Sequence, residues 1–219
     1  MLIFSQLILG LNDSHAMQTY MNQMSLSQFL TSGKCKVVLP DWVTRKVDLE
    51  ADFSTNEARM RLAILLSGLN VEHKTGGPFG SAIFELGRGR LVGVGVNLVV
   101  PSFDPTAHGE ITAFRVMGEY LQSFSAAQAG LQVVLYSSAE PCGMCRTGTI
   151  WAGVAQLYFA ATSRDVEDIG FNEGVKERSW PAQFRQLGIH VEGTLLRHEA
   201  VAVLDQYKDG GGVVYNGKP

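Results

Sequence analysis

The sequence predicts an α/β protein, a three-layer α-β-α sandwich around a central mixed five-stranded sheet. Three observations predict it. Residues 79–86 and 91–100 are apolar strands joined by the turn Gly87-Arg88-Gly89-Arg90, hence a hairpin and an antiparallel pair. Apolar runs at 131–138, 156–161 and 190–196 supply three further strands. Helical segments alternate with these strands, as a sheet sandwiched by helices requires.

Residues 1–53 show no clean period and read as an N-terminal extension. Met1 to Leu11 is apolar, but it lacks the basic region of a signal peptide and is too short to span a bilayer. It either packs on the domain or a partner, or translation starts at Met17, Met21 or Met24. Ser54-Thr55-Asn56-Glu57 reads as a capping box, with Ser54 the cap and Glu57 reaching back. Ala58, Leu62, Leu65 and Leu69 then trace one helix face, which ends before Gly76-Gly77-Pro78. Helices are predicted over 108–121 and 142–151, with the strands at 131–138 and 156–161 following in alternation. A short helix at 164–169 follows, then helix 180–187, strand 190–196 and helix 197–206. The expected organisation is an extension over 1–53, a domain over 54–198, and a C-terminal helix and tail over 199–219.

A chain of 219 residues with 46% hydrophobic and 18% charged residues is ordinary for one globular domain with appendages. The formal net charge is −3 and no Lys/Arg cluster stands out, which weighs against a nucleic-acid partner. No segment is suited to a membrane. Three cysteines, Cys35, Cys142 and Cys145, make no disulfide framework and fit a reducing cytoplasm.

The chemistry lies in His108-Gly109-Glu110 and Pro141-Cys142-Gly143-Met144-Cys145. H-x-E followed by P-C-x-x-C is the pattern of zinc-dependent nucleobase and nucleoside deaminases. His108, Cys142 and Cys145 can hold Zn²⁺ and leave its fourth position open for water. Zinc lowers the pKa of bound water to about 7, so hydroxide is available to attack an aminated ring carbon. Glu110 is the candidate proton shuttle, base during attack and acid for departing ammonia. Cys142 and Cys145, at i and i+3, meet on one face of a first helical turn whose dipole favours thiolates. His108 and Glu110 lie about 200° apart on a helix, so they converge only on a site off a helix N-terminus. Pro105-Thr106 suits such a start. A redox pair would leave His108 and Glu110 unexplained, and a structural zinc site needs a fourth protein ligand. Cys35 is isolated upstream and reads as a small, partly buried residue. His15, His73, His190 and His198 pair with no motif and read as surface or structural residues.

On these residues the chain resembles the cytidine deaminase superfamily, and within it most resembles the bacterial guanine deaminases. Gly76-Gly77-Pro78-Phe79-Gly80, Asn97, Asp104 to Glu110, Ser138 to Cys145, Ile150-Trp151-Ala152 and Ile169 to Gly174 carry the likeness. Cys142 to Arg146 also matches the pattern of free-cytidine enzymes, and Asp104 to His108 is shared with tRNA adenosine deaminases. Arg164 to Phe171 is more similar to guanine deaminases, and the spacing of Cys142 and Cys145 excludes the riboflavin-pathway enzymes. One departure is Gly109, where Ala is usual.

The resemblance implies a cytidine deaminase-like fold and hydrolysis of guanine to xanthine and ammonia in a cytoplasmic homodimer. It implies that Asn97 bonds the substrate's ring edge, that Phe79 and Trp151 line the pocket, and that Glu173 is a second catalytic carboxylate. It also implies that the C-terminal segment crosses to a partner and that Tyr215 closes the site. Core packing for Phe79 and Trp151, and a solvated loop carboxylate for Glu173, are the competing readings. A tRNA adenosine or cytidine-type deaminase, and a zinc-stabilised binding protein without activity, are the competing functions.

Overall fold

A computed structural model describes residues 38–217 apart from 176 and 178. The apolar segment Met1 to Leu11, the alternative starts, His15 and Cys35 lie outside the described residues. The elements are α1 (Trp42–Lys46), α2 (Asn56–Glu72), β1 (Gly80–Glu85), β2 (Leu91–Val96), α3 (Val99–Ser102), α4 (Gly109–Leu121), β3 (Val133–Ala139), α5 (Gly143–Trp151), β4 (Val154–Ala161), α6 (Ser163–Asp168), α7 (Trp180–Gln186), β5 (His190–Glu192) and α8 (Arg197–Asp209).

The five strands form one mixed sheet in the order β2-β1-β3-β4-β5. β1 pairs antiparallel with β2 and with β3, while β3–β4 and β4–β5 are parallel. β1 and β3 are buried along their whole length. Successive side chains point to opposite faces, so each buried strand needs cover on both sides. Phe84, Tyr136 and Tyr158 make a row of ring contacts on the α2 side of the sheet. Ile83, Leu135, Leu157 and Phe159 point the other way, into a core completed by Ala113 and Met117 of α4 and Trp180 and Phe184 of α7. α2 and α8 pack together on one face, and α4 packs on β1 and β2 on the other. Gly95 permits α4 its close approach: a Cβ there would lie 2.1 Å from the Gly109 carbonyl and 2.3 Å from the Ala113 nitrogen.

Element boundaries differ from expectation for local reasons. The cap of α2 is Thr55, whose hydroxyl accepts from the Ala58 N–H, because the Ser54 N–H is drawn into a turn by the Asp52 carboxylate. β2 stops at Val96, and α3 occupies what reads in sequence as its continuation. β5 has only three residues, because the chain turns through left-handed backbone at Thr194 and Leu196. α1 is too short to display a period, yet it buries Trp42 and Val43. The segment 42–53 is held at a few points: Trp42 stacks on His73, Val47 is buried, and Phe53 meets Phe84.

Candidate active site

Two helix starts meet at the C-terminal end of β3, beside the start of its antiparallel neighbour β1. His108 is the N-cap of α4, with extended backbone. Cys142 is the N-cap of α5, and Cys145 lies one turn inside it. The convergence anticipated for His108 and Glu110 is thus met by placing His108 just outside its helix and Glu110 in the first turn. The donor atoms of His108, Cys142 and Cys145 lie within 4.8 Å of one another. His108 Nδ1 and Cys142 Sγ are 3.6 Å apart. A tetrahedral zinc, with Zn–S about 2.3 Å and Zn–N about 2.0 Å, sets its N and S donors about 3.5 Å apart. The donor set therefore fits zinc in chemistry and in spacing, and this is a zinc site.

The electrostatics agree. A hydrogen bond from Cys145 is the largest influence on Cys142 and, with the nearby His108, draws its pKa down to about 4. Donating that bond, together with burial, holds the Cys145 thiol well above the usual range. Two thiols this close cannot both ionise without a cation between them, and zinc supplies it. Burial works to lower the His108 pKa, but the Cys142 sulfur beside it wins and the pKa is raised. Glu110 is only 6% exposed. Burial, then the Cys142 charge, pushes its pKa upward.

A cavity opens onto these residues. Phe79, Asn97, Pro105, Ser137, Phe171, Glu173 and Tyr215 line it along with His108, Glu110 and Cys142. Asn97 is fully buried, and its Oδ1 accepts from the Val99 N–H at 3.3 Å. Its Nδ2 has no partner at ordinary hydrogen-bond geometry among the described residues, although the Tyr215 hydroxyl lies close enough to feel the Asn97 side chain. A buried amide donor left without a full hydrogen bond is costly, and a ligand in the adjoining cavity would lower that cost. Phe79 meets Phe171 edge to face, and Phe171 meets Tyr215 likewise. Glu173 stands near enough for its charge to act on His108 and Arg146.

One expectation needs correction. Trp151 does not line the cavity: it is 78% exposed, at the far end of α5 from the zinc donors. A nine-residue helix carries its last side chain about 12 Å from its first. In the single chain the tail lies against its own domain. Tyr207 Oη donates to the Val213 carbonyl, and the Asn216 amide bonds the Asn172 N–H and the Gly170 carbonyl. Tyr215 therefore closes the cavity of its own chain.

Sequence reasoning missed Glu140 and Asn70. Glu140 accepts from Arg146 Nη2, from Trp180 Nε1 and from the Ser163 N–H, all at 2.9 Å. Arg146 lies 4.4 Å above the Trp180 ring. This arrangement anchors the first turn of α5, where both thiols sit. Neighbourhood in the motif was the only available signal for Glu140, and Arg146 and Trp180 are distant from each other in sequence. Asn70 bonds the backbone beneath the cavity and has no motif around it.

Residues 53–161 match the family model described as the cytidine and deoxycytidylate deaminase zinc-binding region. The chain is 33% identical over 145 residues to the guanine deaminase of Bacillus subtilis (strain 168), covering 65% of this chain and 88% of that protein. It is similar to the solved guanine deaminase of Nitrosomonas europaea, with 35% identity and a TM-score of 0.74 over 80% of this chain and 96% of that one. The tRNA-specific adenosine deaminase of Haemophilus influenzae is 32% identical over 93 residues, 42% of this chain and 51% of that protein.

Proposed function

The chain belongs to the zinc-dependent deaminases of the cytidine deaminase superfamily, and from that premise we propose that it hydrolyses guanine to xanthine and ammonia. The observation that carries the substrate is Asn97. Its buried Nδ2 is a donor without an ordinary partner among the described residues and its Oδ1 is an acceptor, and Asn97 lines the cavity with Phe79, Phe171 and Tyr215. Guanine presents ring nitrogens, an N–H and a carbonyl along one flat edge, so an amide can both donate to it and accept from it. Adenine presents a mismatched pattern at C6, leaving buried groups unpaired, and such a site discriminates by orders of magnitude.

His108, Cys142 and Cys145 would hold the zinc, which when bound would make a nucleophile of water available at neutral pH. The residues of the chain do the rest. Glu110 takes the first water proton as the C2–O bond forms and passes it to the ring nitrogen, then takes the second from the C2 hydroxyl and passes it to the amine as the C2–N bond breaks and the carbonyl forms. Its burial favours the protonated form, which readies it to donate. Glu173, at the cavity wall, receives the substrate N–H or assists departure of ammonia. Tyr215 and Phe171 exclude solvent from the ring face.

Ammonia release from a panel of free bases and nucleosides tests this reading. Guanine turning over far faster than adenine, cytosine or cytidine supports it; cytidine or adenosine as best substrate with guanine inert overturns it. Deamination of tRNA is disfavoured by the net charge of −3. Among the described residues no helix is long and apolar enough to cross a membrane. A cytoplasmic setting that keeps both thiols reduced is part of the proposal, as is a homodimer. The exposed Ile150 and Trp151 on α5 are surface available for dimer contacts. Sedimentation equilibrium returning only a 23.8 kDa monomer would remove the dimer.

A further inference from the structure

Asn97 owes its placement to a chain of hydrogen bonds that begins outside the family-matched region. Trp42, on α1, is buried and stacks on His73 with ring centroids 5.7 Å apart. Its Nε1 donates to Thr75 Oγ1 at 2.9 Å. Thr75 Oγ1 donates to Asn70 Oδ1 at 2.8 Å. Asn70, wholly buried on α2, donates from Nδ2 to the Asn97 carbonyl and to the Gly77 carbonyl, both at 2.8 Å. Every bond runs in one direction. Both protons of the Asn70 amide are used and its oxygen is occupied, so the amide cannot flip without breaking three bonds.

The backbone around the relay has no slack. Lys74 adopts left-handed backbone, φ 53°. A Cβ on Gly76 would lie 1.9 Å from the Asn97 carbonyl oxygen. The 74–77 turn is thus pressed against Asn97, and Asn70 bonds both sides of that contact. Displacing the Asn97 backbone would swing its side-chain amide, which lines the cavity and whose Nδ2 has no ordinary partner among the described residues.

We propose that Trp42, Thr75 and Asn70 are positioning residues for substrate recognition: they hold the Asn97 amide in register with the base, so that α1, ahead of the family-matched region at residues 53–161, takes part in specificity. The inference rests on the reading that Asn97 binds the substrate base. It assigns no contact between the relay and the substrate or the zinc.

The test is a pair of double-mutant cycles in the full-length zinc protein, Trp42→Phe with Asn97→Ala and Asn70→Ala with Asn97→Ala. Trp42→Phe keeps the ring on His73 and removes only the N–H, so it folds even if Asn70→Ala does not. Each relay variant should raise KM for the base about five- to tenfold, as loss of one neutral hydrogen bond would, with kcat changed less than twofold and one zinc per chain retained. In the Asn97→Ala background the same substitutions should have little further effect, because the group they position is gone. Equal effects in both backgrounds, or a loss confined to kcat or to zinc content, would show a merely structural role and overturn the proposal. The cycles are read with guanine or, if guanine is inert, with the fastest base of the panel. Inert guanine refutes the substrate assignment, whereas additivity refutes the relay.

Discussion

Glu110 and the three proposed zinc donors lie within a few ångströms of one another, and single substitutions separate their proposed roles. Glu110→Gln preserves shape and removes the titratable oxygen. It should retain zinc by elemental analysis while kcat for ammonia release falls by about 10² to 10⁴. Retention of turnover within a few-fold would remove Glu110 from proton transfer. Cys145→Ala should lose zinc and lower the thermal midpoint, since the ion ties α4 to α5 through His108 and Cys142; zinc retained at parent level would contradict the donor set. At this scale the zinc site was legible because its pieces are local: i and i+3 cysteines, and a His two residues from a Glu. Trp151 was misread for a reason equally physical. It adjoins the motif in sequence, but the helix that starts at the thiols carries it away from them. Asn70 was silent because its partners, Gly77 and Asn97, come from a turn and a strand end.

Elements fix what residues cannot fix alone. Gly95 lets α4 rest on β2, and α4 carries His108 at its start. Gly95→Ala should push the helix outward, lowering stability by about 1–3 kcal/mol and weakening zinc retention against a chelator; unchanged stability and zinc retention would show that α4 tolerates the displacement. On the opposite side Asp165 ties α6 to α8, accepting from Arg197 Nε at 2.8 Å and from Thr162. The bond from Arg197 is the largest of the influences that bring the Asp165 carboxyl to about 2, below its ordinary value near 3.9. A depressed carboxylate pKa stabilises the fold fully above about pH 4, and that contribution fades as pH falls through about 2. Asp165→Asn should therefore have a lower urea midpoint than the parent at neutral pH, with the gap closing toward pH 2. Pairing mutant with parent at each pH cancels the loss of zinc in acid; a gap independent of pH would mean the ion pair contributes nothing. The strands and long helices were legible from period and turn chemistry. α1, α3 and the early end of β5 were not, since a helix of four or five residues has no measurable period and left-handed turns at Thr194 and Leu196 carry no glycine.

The whole molecule adds closure. One mixed sheet places both helix starts at one end, and the C-terminal tail folds back over the same end. Truncation after Gly210 removes Tyr215 and the Asn216 contacts while leaving the zinc donors intact. It should keep zinc but raise KM for guanine at least several-fold, measured by steady-state ammonia release, because one apolar wall is gone; an unchanged KM would show that Tyr215 contributes no binding. The tail has a further consequence in the order of synthesis. Every zinc donor has been translated by Cys145, whereas Tyr215 emerges about seventy residues later, several seconds at ordinary elongation rates. A nascent chain therefore carries its complete set of metal donors well before it has a finished substrate pocket. The wall that Tyr215 gives the cavity forms only once the segment around it has docked.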